Sequence, residues 1–386
     1  MTEIIIAGIG QTPVGEHWET SLRELAYHAI ASALADSGGL RPQALFVGNI
    51  LADHLSGQAH LGALLADFAG LTGIEAYTIE ASGASGAAAL RQAYLAVKSG
   101  LIDCALAVGV EKITDQIGSS LDAALTTATD GDYEAVHGMT LESQAALLMR
   151  RYLHEYDAPR SAFAAFPLVA HANGASNPNA MFRKAITPGI YENAGLTTDP
   201  LNLFDVAPWA DGAAAVLITR RNLLPSNFPH PLVRIAGAAI ATNTLALHDR
   251  PDPLDFGAAR LSVQRACTEA GIRPQQVNFF ELYDFTSITA ALSLEAAGFA
   301  ARGDGWRLAQ GDHLTLNGGL PIATFGGLKA RGNPGGATGL YQIVEAALQL
   351  RGEAGQNQVP DARWGLVQSL GGPASTAVTH VLSIQP

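Results

Sequence analysis

Cysteine is scarce in this chain, which carries only Cys104 and Cys267 among its 386 residues. Two cysteines at unrelated spacing make neither a disulfide framework nor a metal site, so we predict no metal centre. Cys104 lies in the apolar run IDCALAVGV, which is typical of a buried strand. Inert core packing is therefore the expected role of this thiol.

Charge is also scarce, since only 15% of the residues are charged and the net charge is −12. This balance argues against nucleic acid or an anionic membrane as the main partner, because both require a basic surface. Hydrophobic residues make up 48% of the chain. We therefore expect a large buried interior, two domains or two fused halves, and a buried subunit interface.

Long apolar segments are missing as well. No run approaches the ~20 residues that a membrane span requires. The opening sequence MTEIIIAGIG has no basic region followed by an apolar one, and it resembles a first strand rather than an export signal. These features predict a cytoplasmic protein that does not enter the membrane.

Two internal repeats predict the architecture. The segment ending in Arg41-Pro42-Gln43 and the following strand recurs 232 residues later, and SGAAALRQAYLAVKSG recurs 250 residues later as GGATGLYQIVEAALQLRG. Each copy indicates a helix followed by a buried strand. Repetition of strand, helix and strand predicts parallel pairing, with two pseudo-symmetric α/β halves. Between the halves, about residues 117–203, the periodicity weakens, which is typical of a functional lid or binding excursion.

The stretch TIEASGASGAAALRQAYLAVKSG has the layout of a nucleophile turn. A strand-like run ends in small residues, and a helix is predicted to begin near Ser85 and to pass Lys98. Free N–H groups at the start of such a helix lower the pKa of a thiol and stabilise an oxyanion. Neither cysteine lies on this turn.

The chain resembles a thiolase, closest to the archaeal and sterol-carrier-protein type. The resemblance covers essentially the whole length and rests on segments in the family's order, namely EASGASGAAALRQAYLAVKSG, AVGVEKITD, HANGASNPNAMFRK, DVAPWADGAAAVLI, ELYDFTSITAALSLEAAGF, GGLKARGNPGGATG and SLGGPASTAVTHVL. It implies two βαβαβαββ halves in an α/β/α/β/α layering with an inserted loop domain. We expect the N-terminal half in residues 1–116 and 204–230, the insertion in 117–203 and the C-terminal half in 231–386.

The resemblance also places the family's catalytic positions. The acyl-accepting cysteine falls on Gly83, the histidine of the HDAF stretch on Tyr283 and the histidine of the GHP stretch on Asn333. A second cysteine, which the resembling subgroup often lacks, falls on Ser369. The frame of the active site is thus kept while its catalytic side chains are exchanged.

The exchanged residues predict a different chemistry. Tyr283 is a candidate acid or base, and Asp284 is a candidate to orient it or to act as a base. Asn333 and the backbone near Gly83 can donate hydrogen bonds to a thioester carbonyl. Structural roles compete with these assignments: Tyr283 as an aromatic side chain at a strand end, and Asp284 as a turn residue.

Serine and histidine side chains are further candidates. Ser82 and Ser85 fit turn and N-cap positions better than a nucleophile's. His137 and His171 lie in the insertion and are candidates to replace the lost imidazoles, although loop histidines are usually solvated.

Coenzyme A thioesters are the implied ligand, as substrate and not as a permanent cofactor. The glycine-rich segment GGLKARGNPGGATG and the basic MFRK stretch are expected to hold it. The expected binding residues are Lys329, Arg331, Gly332, Gly335, Gly336 and Arg183.

Three functions remain open at this point. The first is aldol or retro-aldol chemistry on an acyl-CoA without a covalent acyl-enzyme, which resembles thiolase-fold aldolases of steroid side-chain breakdown. The second is a non-catalytic subunit that binds acyl-CoA or forms a scaffold. The third is an acyltransferase that uses an unexpected residue. The resemblance implies a homodimer and a small OB-fold and zinc-ribbon partner protein.

Overall fold

The computed structural model describes residues 3–384. Its strands are β1 Ile4–Gln11, β2 Ala44–Gly48, β3 Glu75–Ile79, β4 Cys104–Glu111, β5 Leu196–Thr198, β6 Leu201–Asn202, β7 Gly212–Arg220, β8 Val233–Thr242, β9 Phe279–Glu281, β10 Trp364–Gly371 and β11 Thr376–Ile384. Its helices are α1 Leu22–Asp36, α2 Ala52–Leu55, α3 Leu61–Phe68, α4 Ser85–Ser99, α5 Ser119–Thr126, α6 Leu141–Tyr156, α7 Ala165–Gly174, α8 Pro188–Glu192, α9 Gly257–Ala270, α10 Ser287–Ala296, α11 Gly305–Leu308 and α12 Thr338–Arg351.

Nine strands form one mixed sheet in the order β3-β2-β4-β7-β1-β8-β11-β10-β9. β2 pairs in parallel with β3 and β4, and β9 pairs in parallel with β10, whereas the other pairs are antiparallel. Outward from the β1–β8 junction, the order is β1, β7 and β4 on one side and β8, β11 and β10 on the other. In each half these are the first strand, the last strand and the strand that follows the central helix. This order agrees with the repeats, and the α/β architecture is confirmed.

Helices α4 and α12 pack against each other in the centre of the molecule. Their apolar faces form one core with β1, β7 and β8. Helix α1 covers the outer face of the N-terminal strands, and α9 covers β8 and β11. Strands thus lie between the central helices and the outer helices, as expected for alternating helix and strand layers.

The insertion is mostly helical, containing α5 to α8 and the short β5–β6 pair. Buried residues of α6 and α7 join the core of the C-terminal half. Within residues 3–384, no helix combines the length and the apolar character needed to cross a membrane.

Candidate active site

The first turn of the site connects β3 to α4. Residues Ser82–Ala84 form a short 3₁₀ turn, and Ser82 has a positive φ of 50°. The Ser85 hydroxyl accepts from the N–H of Ala81 at 2.9 Å and donates to the carbonyl of Ser82 at 2.6 Å. Ser85 is the first residue of α4 and Ala84 is its N-cap, so the N-cap role expected for Ser85 is wrong; its hydroxyl instead holds the turn before the helix.

The equivalent turn of the second half precedes α12. Asn333 is fully buried, and its Oδ1 accepts from the Thr338 hydroxyl at 2.8 Å. Its backbone joins the segment around Trp209, because its N–H donates to Pro208 and its carbonyl accepts from Ala210. Nδ2 of Asn333 is buried and makes no hydrogen bond of good geometry within residues 3–384.

Tyr283 follows β9 and lies directly over the first turn. A Cβ built on Gly83 would lie 2.1 Å from the Tyr283 hydroxyl oxygen and 2.7 Å from the carbonyl oxygen of Leu370. Real Cβ atoms do not tolerate such approaches. The phenol of Tyr283 therefore occupies the space that a side chain at position 83 would need.

Burial dominates the titration of this phenol. Burial raises the pKa of Tyr283 well above its usual value, whereas the side chain of Asn333 lowers this pKa to a smaller extent. At neutral pH Tyr283 is therefore protonated and is a proton donor.

A small cavity lies beside this phenol. It has a volume of about 20 Å³, which is room for about one water molecule. Ser82, Gly83 and Tyr283 line it, and the remaining walls are Ile50, Leu51, Leu125, Ala128, Leu141, Trp209, Phe285, Leu370 and Gly372.

A larger cavity of about 710 Å³ lies on the other side of Trp209, which lines both. This volume is in the range of small-molecule sites. Its walls are Glu142, His171, Met181, Phe182, Arg183, Lys184, Ile186, Thr197, Leu203, Phe204, Val206, Ala207, Pro208, Trp209 and Lys329. Arg183 and Lys184 are exposed there, as a site for a phosphorylated ligand requires.

The glycine-rich segment is placed differently from our expectation. Arg331 is fully buried, lies 3.2 Å from Glu345 and stacks on the ring of Tyr341 at 4.9 Å. It lines neither cavity. We therefore correct its assignment from ligand binding to a buried ion pair.

The glycines of this segment also contact protein rather than an open cavity. The N–H of Gly336 donates to Oε2 of Glu111 at 2.9 Å, and a Cβ on Gly335 would lie 3.0 Å from the same carboxylate. A Cβ on Gly332 would lie 2.7 Å from Val14. Their lack of side chains serves packing around Glu111 and Val14, which corrects their assignment to ligand binding.

Lys329 has features of both a cavity residue and an interior residue. It lines the larger cavity, yet it is buried and its ammonium group donates to the backbone carbonyl of Asp205. Burial lowers the pKa of Lys329 to about 8, with Asp284 and Asp205 acting in the opposite direction.

Asp284 does not line either cavity. Its carboxylate accepts from the N–H of Leu328 at 2.7 Å, in the turn Gly327–Arg331. Burial raises the pKa of Asp284, and Lys329 opposes this shift. The structural alternative for Asp284, as a turn residue, fits these contacts.

The two histidines of the insertion line different cavities. His171 is buried in the wall of the larger cavity, between the rings of Phe182 and Phe204, and burial lowers its pKa. His137 is exposed and lines another cavity.

Neither cysteine lines the site. Cys104 lies in the outer core under α1, and Cys267 lies in the core formed by α9. Burial raises the thiol pKa to about 12 and about 11, respectively. Neither thiol is activated as a nucleophile.

Sequence reasoning missed three site residues. Trp209 separates the cavities, and Glu142 is the only acidic residue in the wall of the larger one. Glu111 accepts hydrogen bonds from Asn49, Ile50, Leu51 and Gly336, and so joins the turns of both halves. A glutamate at the end of the apolar run CALAVGV was the available signal for the last of these.

Comparison with known families assigns the chain to a superfamily. The profile of the thiolase N-terminal domain matches residues 4–222, and that of a thiolase C-terminal domain-like family matches residues 239–384. The chain belongs to the thiolase superfamily.

Individual relatives within this superfamily cover the whole chain. An acetyl-CoA acetyltransferase of Methanothermobacter thermautotrophicus is 37% identical over 99% of this chain and 100% of its own. Sterol carrier protein 2 of Bos taurus is 27% identical over 97% of this chain and 71% of its own. Among solved structures, the Ltp2-ChsH2(DUF35) aldolase superposes with a TM-score of 0.85 at 24% identity, covering 99% of this chain and 98% of that one.

Proposed function

We propose that this thiolase-superfamily chain binds an acyl-CoA thioester and makes or breaks a carbon–carbon bond of the aldol type without a covalent acyl-enzyme. The observation that carries this proposal is the Tyr283 hydroxyl, which lies where a side chain at position 83 would have to be. A protonated phenol there offers acid catalysis and excludes a nucleophilic side chain at position 83.

In the cleavage direction the substrate is a β-hydroxyacyl thioester. Its β-hydroxyl loses a proton, the bond between Cα and Cβ breaks, and Cβ becomes the carbonyl carbon of an aldehyde or ketone. The electron pair of the broken bond forms the thioester enolate, whose carbon then takes a proton. No oxidant or reductant is needed.

The buried amide of Asn333 is the proposed enolate stabiliser. Asn333 lines neither cavity of the free protein, so this role requires the walls beside Tyr283 to move when the thioester binds. Its Nδ2 has hydrogen-bonding capacity to spare, and its orientation is fixed by the bond between Oδ1 and Thr338. Donors fixed in advance in a site that excludes water stabilise a developing oxyanion without reorganisation.

Two groups are proposed to move protons. Tyr283 is the donor to the enolate carbon, because burial keeps its phenol protonated. Glu142 is the proposed base for the β-hydroxyl; because Glu142 and Tyr283 line different cavities, this proposal requires the Trp209 side chain to move when the substrate binds. Burial raises the pKa of Glu142, with the indole of Trp209 opposing this, and a carboxylate with a raised pKa is a better base near neutral pH.

The acyl-CoA is proposed to enter through the larger cavity. Arg183 and Lys184 offer positive charge at its wall, and the apolar walls suit a pantetheine chain. A homodimer, and a small partner protein at this cavity, belong to the same proposal. The two-component name of the Ltp2-ChsH2(DUF35) aldolase supports the partner.

Tyr283→Phe tests the proposal directly. With a series of β-hydroxyacyl-CoA thioesters, we expect cleavage by this variant to fall by about 10²-fold or more, since general acid catalysis contributes about 10²–10⁴. Calorimetric affinity for CoA should stay within about twofold. Product formation is followed by mass spectrometry of the shortened acyl-CoA.

The matched control is Tyr152→Phe, which removes another buried hydroxyl, one that donates to Glu295 at 2.6 Å. Its turnover should equal that of the wild type. Unchanged turnover in Tyr283→Phe would remove Tyr283 from the mechanism, and a covalent acyl adduct on the denatured protein would refute the non-covalent pathway.

A non-catalytic acyl-CoA-binding subunit is the second candidate. The volume of about 20 Å³ beside Tyr283 favours it, because an acyl group does not fit there without movement of the walls. Under this alternative, CoA binds with a measurable affinity and no β-hydroxyacyl thioester is cleaved.

Acyl transfer is the third candidate, supported by the 37% identity to an acetyl-CoA acetyltransferase. Ser82 is the hydroxyl on the turn that would carry the acyl group, since it lines the small cavity. A mass increase after incubation with acetyl-CoA, lost in Ser82→Ala, would establish this alternative.

A further inference from the structure

A separate cavity of about 520 Å³ lies between the insertion and the loop after β8. It shares no lining residue with either cavity of the candidate active site. Its walls are Tyr133, Glu134, His137, Met139, Leu147, Leu148, Arg151, Leu247, His248, Arg250 and Pro253. The mechanism proposed above uses none of these residues.

Arg250 is the unusual member of this wall. Its side chain is only 6% exposed, and its Nε donates to the carbonyl of Thr244 at 3.0 Å. Both terminal nitrogens, Nη1 and Nη2, are buried and have no hydrogen-bond partner within residues 3–384. A guanidinium fork is thus fixed at one nitrogen and left unsatisfied at the other two.

The nearby carboxylate does not satisfy this fork. Oε1 of Glu134 accepts from the N–H of Leu247 at 2.6 Å, and Oε2 accepts from the N–H of Asp130 at 3.2 Å. Glu134 therefore makes no direct hydrogen bond to Arg250. Its negative charge does act on the guanidinium at a distance, and it opposes the lowering of the Arg250 pKa that burial causes. A buried cation without a hydrogen-bonded partner is costly, so a bound anion would stabilise it.

The rest of the wall defines the kind of anion. Met139, Leu147, Leu148, Leu247 and Pro253 supply an apolar surface. Histidine side chains at positions 137 and 248 and the Arg151 guanidinium add hydrogen-bond donors around it.

We propose that this cavity binds a small organic anion that has a short apolar chain. Its head group is a carboxylate or a phosphate monoester, held in a bidentate manner by the two free nitrogens of Arg250, which are buried in the free protein and turn toward the cavity when the anion binds. Both head groups match the planar fork of arginine. The apolar chain lies against the leucines of the opposite wall.

Calorimetric titration with matched six-carbon probes tests this proposal. Hexanoate and hexyl phosphate carry the two head groups, and hexanol carries neither. We expect saturable binding of at least one anion and at least tenfold weaker binding of hexanol. The stronger of the two anions identifies the head group.

Two variants locate the binding. Arg250→Met removes the charge, and Leu147→Trp fills the cavity from a side chain that is 51% exposed, without touching the guanidinium. Both should weaken anion binding at least tenfold. Leu147→Trp keeps the test valid if Arg250→Met does not fold. Arg183→Ala, in the larger cavity of the active site, is the control and should leave the affinity unchanged.

Several results would overturn the proposal. These are an absence of saturable binding for both anions, equal binding of hexanol, or loss of binding in Arg183→Ala with retention in Leu147→Trp. An acidic side chain from a second copy of the chain is another possible occupant of the cavity. In that case the anions do not bind and Arg250→Met changes the sedimentation coefficient, which also refutes a small-molecule site.

Discussion

At the scale of single residues, position 83 and position 283 form one unit. The Tyr283 hydroxyl lies where a Cβ of residue 83 would be, so glycine is required as long as tyrosine is present. A cysteine introduced at position 83 alone would therefore clash with the phenol. A variant with Gly83→Cys and Tyr283→His together is the more sensible attempt at the family chemistry.

Gly83→Ala should destabilise the protein measurably. The added methyl group would lie 2.1 Å from the Tyr283 hydroxyl oxygen and 2.7 Å from the backbone of Leu370. Overpacking of this kind costs about 1–3 kcal/mol of the free energy of unfolding. Urea unfolding followed by far-UV circular dichroism measures the loss.

The control for this substitution is Gly131→Ala, because nothing lies within 4 Å of a Cβ at position 131 and its φ is not positive. Adding Tyr283→Phe to Gly83→Ala should recover part of the lost stability, since it removes the shortest contact. Equal stability of Gly83→Ala and the wild type would contradict the placement of the phenol.

His380 predicts a pH dependence of stability. It is fully buried in β11, both ring nitrogens lack partners within residues 3–384, and burial lowers its pKa to about 3, with Arg91 adding to this shift. Between about pH 6.5 and pH 3 the unfolded chain binds a proton that the folded chain does not accept. Acidification through this window therefore lowers the free energy of unfolding, by at most about 1.4 kcal/mol per pH unit from this residue.

Urea unfolding of the wild type and of His380→Leu between pH 7 and pH 4 isolates this contribution. The variant should lose less stability on acidification than the wild type. His54→Gln, at an exposed histidine, should behave as the wild type does. Parallel pH curves for wild type and His380→Leu would contradict this prediction, because they would mean that the pKa of His380 is the same in the folded and unfolded states.

At the scale of elements, the turn Gly327–Arg331 determines which of its basic side chains reach the larger cavity. This segment is a short π-helical turn whose Leu328 N–H donates to Asp284. Its geometry places Arg331 against Glu345 of α12 in the interior. The MFRK stretch, by contrast, leaves Arg183 at the wall of the larger cavity.

Arg331→Met and Arg183→Ala should therefore have opposite consequences. Removing Arg331 leaves Glu345 buried without its cation, and because burial raises the pKa of Glu345 to about 8 its carboxyl takes up a proton. We therefore expect Arg331→Met to destabilise the protein by less than the ~3–5 kcal/mol of a broken buried ion pair. CoA affinity of the folded fraction should not change. Arg183→Ala should leave the unfolding midpoint unchanged and weaken CoA binding several-fold.

Thermal unfolding and CoA calorimetry on the same two proteins check both expectations. If Arg331→Met weakened CoA binding while keeping full stability, the ligand-binding role first expected from the sequence would have to be restored.

At the scale of the whole molecule, the two halves share one core. Helices α4 and α12 meet where a Cβ on Gly86 would lie 2.7 Å from the carbonyl oxygen of Gly336. The sheet is continuous through β1 and β8. Neither half can expose the central layer without exposing a large apolar surface.

We therefore expect one cooperative unfolding transition. Trp18 and Trp209 report on the first half, and Trp306 and Trp364 report on the second. Two variants that each keep only one of these pairs should show coincident urea midpoints by fluorescence, once their stabilities are normalised by circular dichroism. Midpoints that differ between fluorescence and circular dichroism within one variant would indicate that the halves unfold separately.

Local patterns in the sequence were enough to predict much of the fold. The repeated helix-and-strand segments became α1 with β2, α9 with β9, α4 with β4 and α12 with β10. The helix expected near Ser85 begins at that residue. These predictions succeed because apolar periodicity and capping residues act over a few positions in the chain.

The sequence by itself determined the α/β halves and the small residues of the first turn, and it made Gly83, Tyr283 and Asn333 candidate site residues through the resemblance alone. Only the tertiary structure decided that the Tyr283 phenol lies over Gly83, that Arg331 is an interior ion-pair partner and that Trp209 divides the cavities. Each of these depends on contacts between segments far apart in the chain. Local propensity does not encode such contacts, whereas close packing of the folded molecule fixes them.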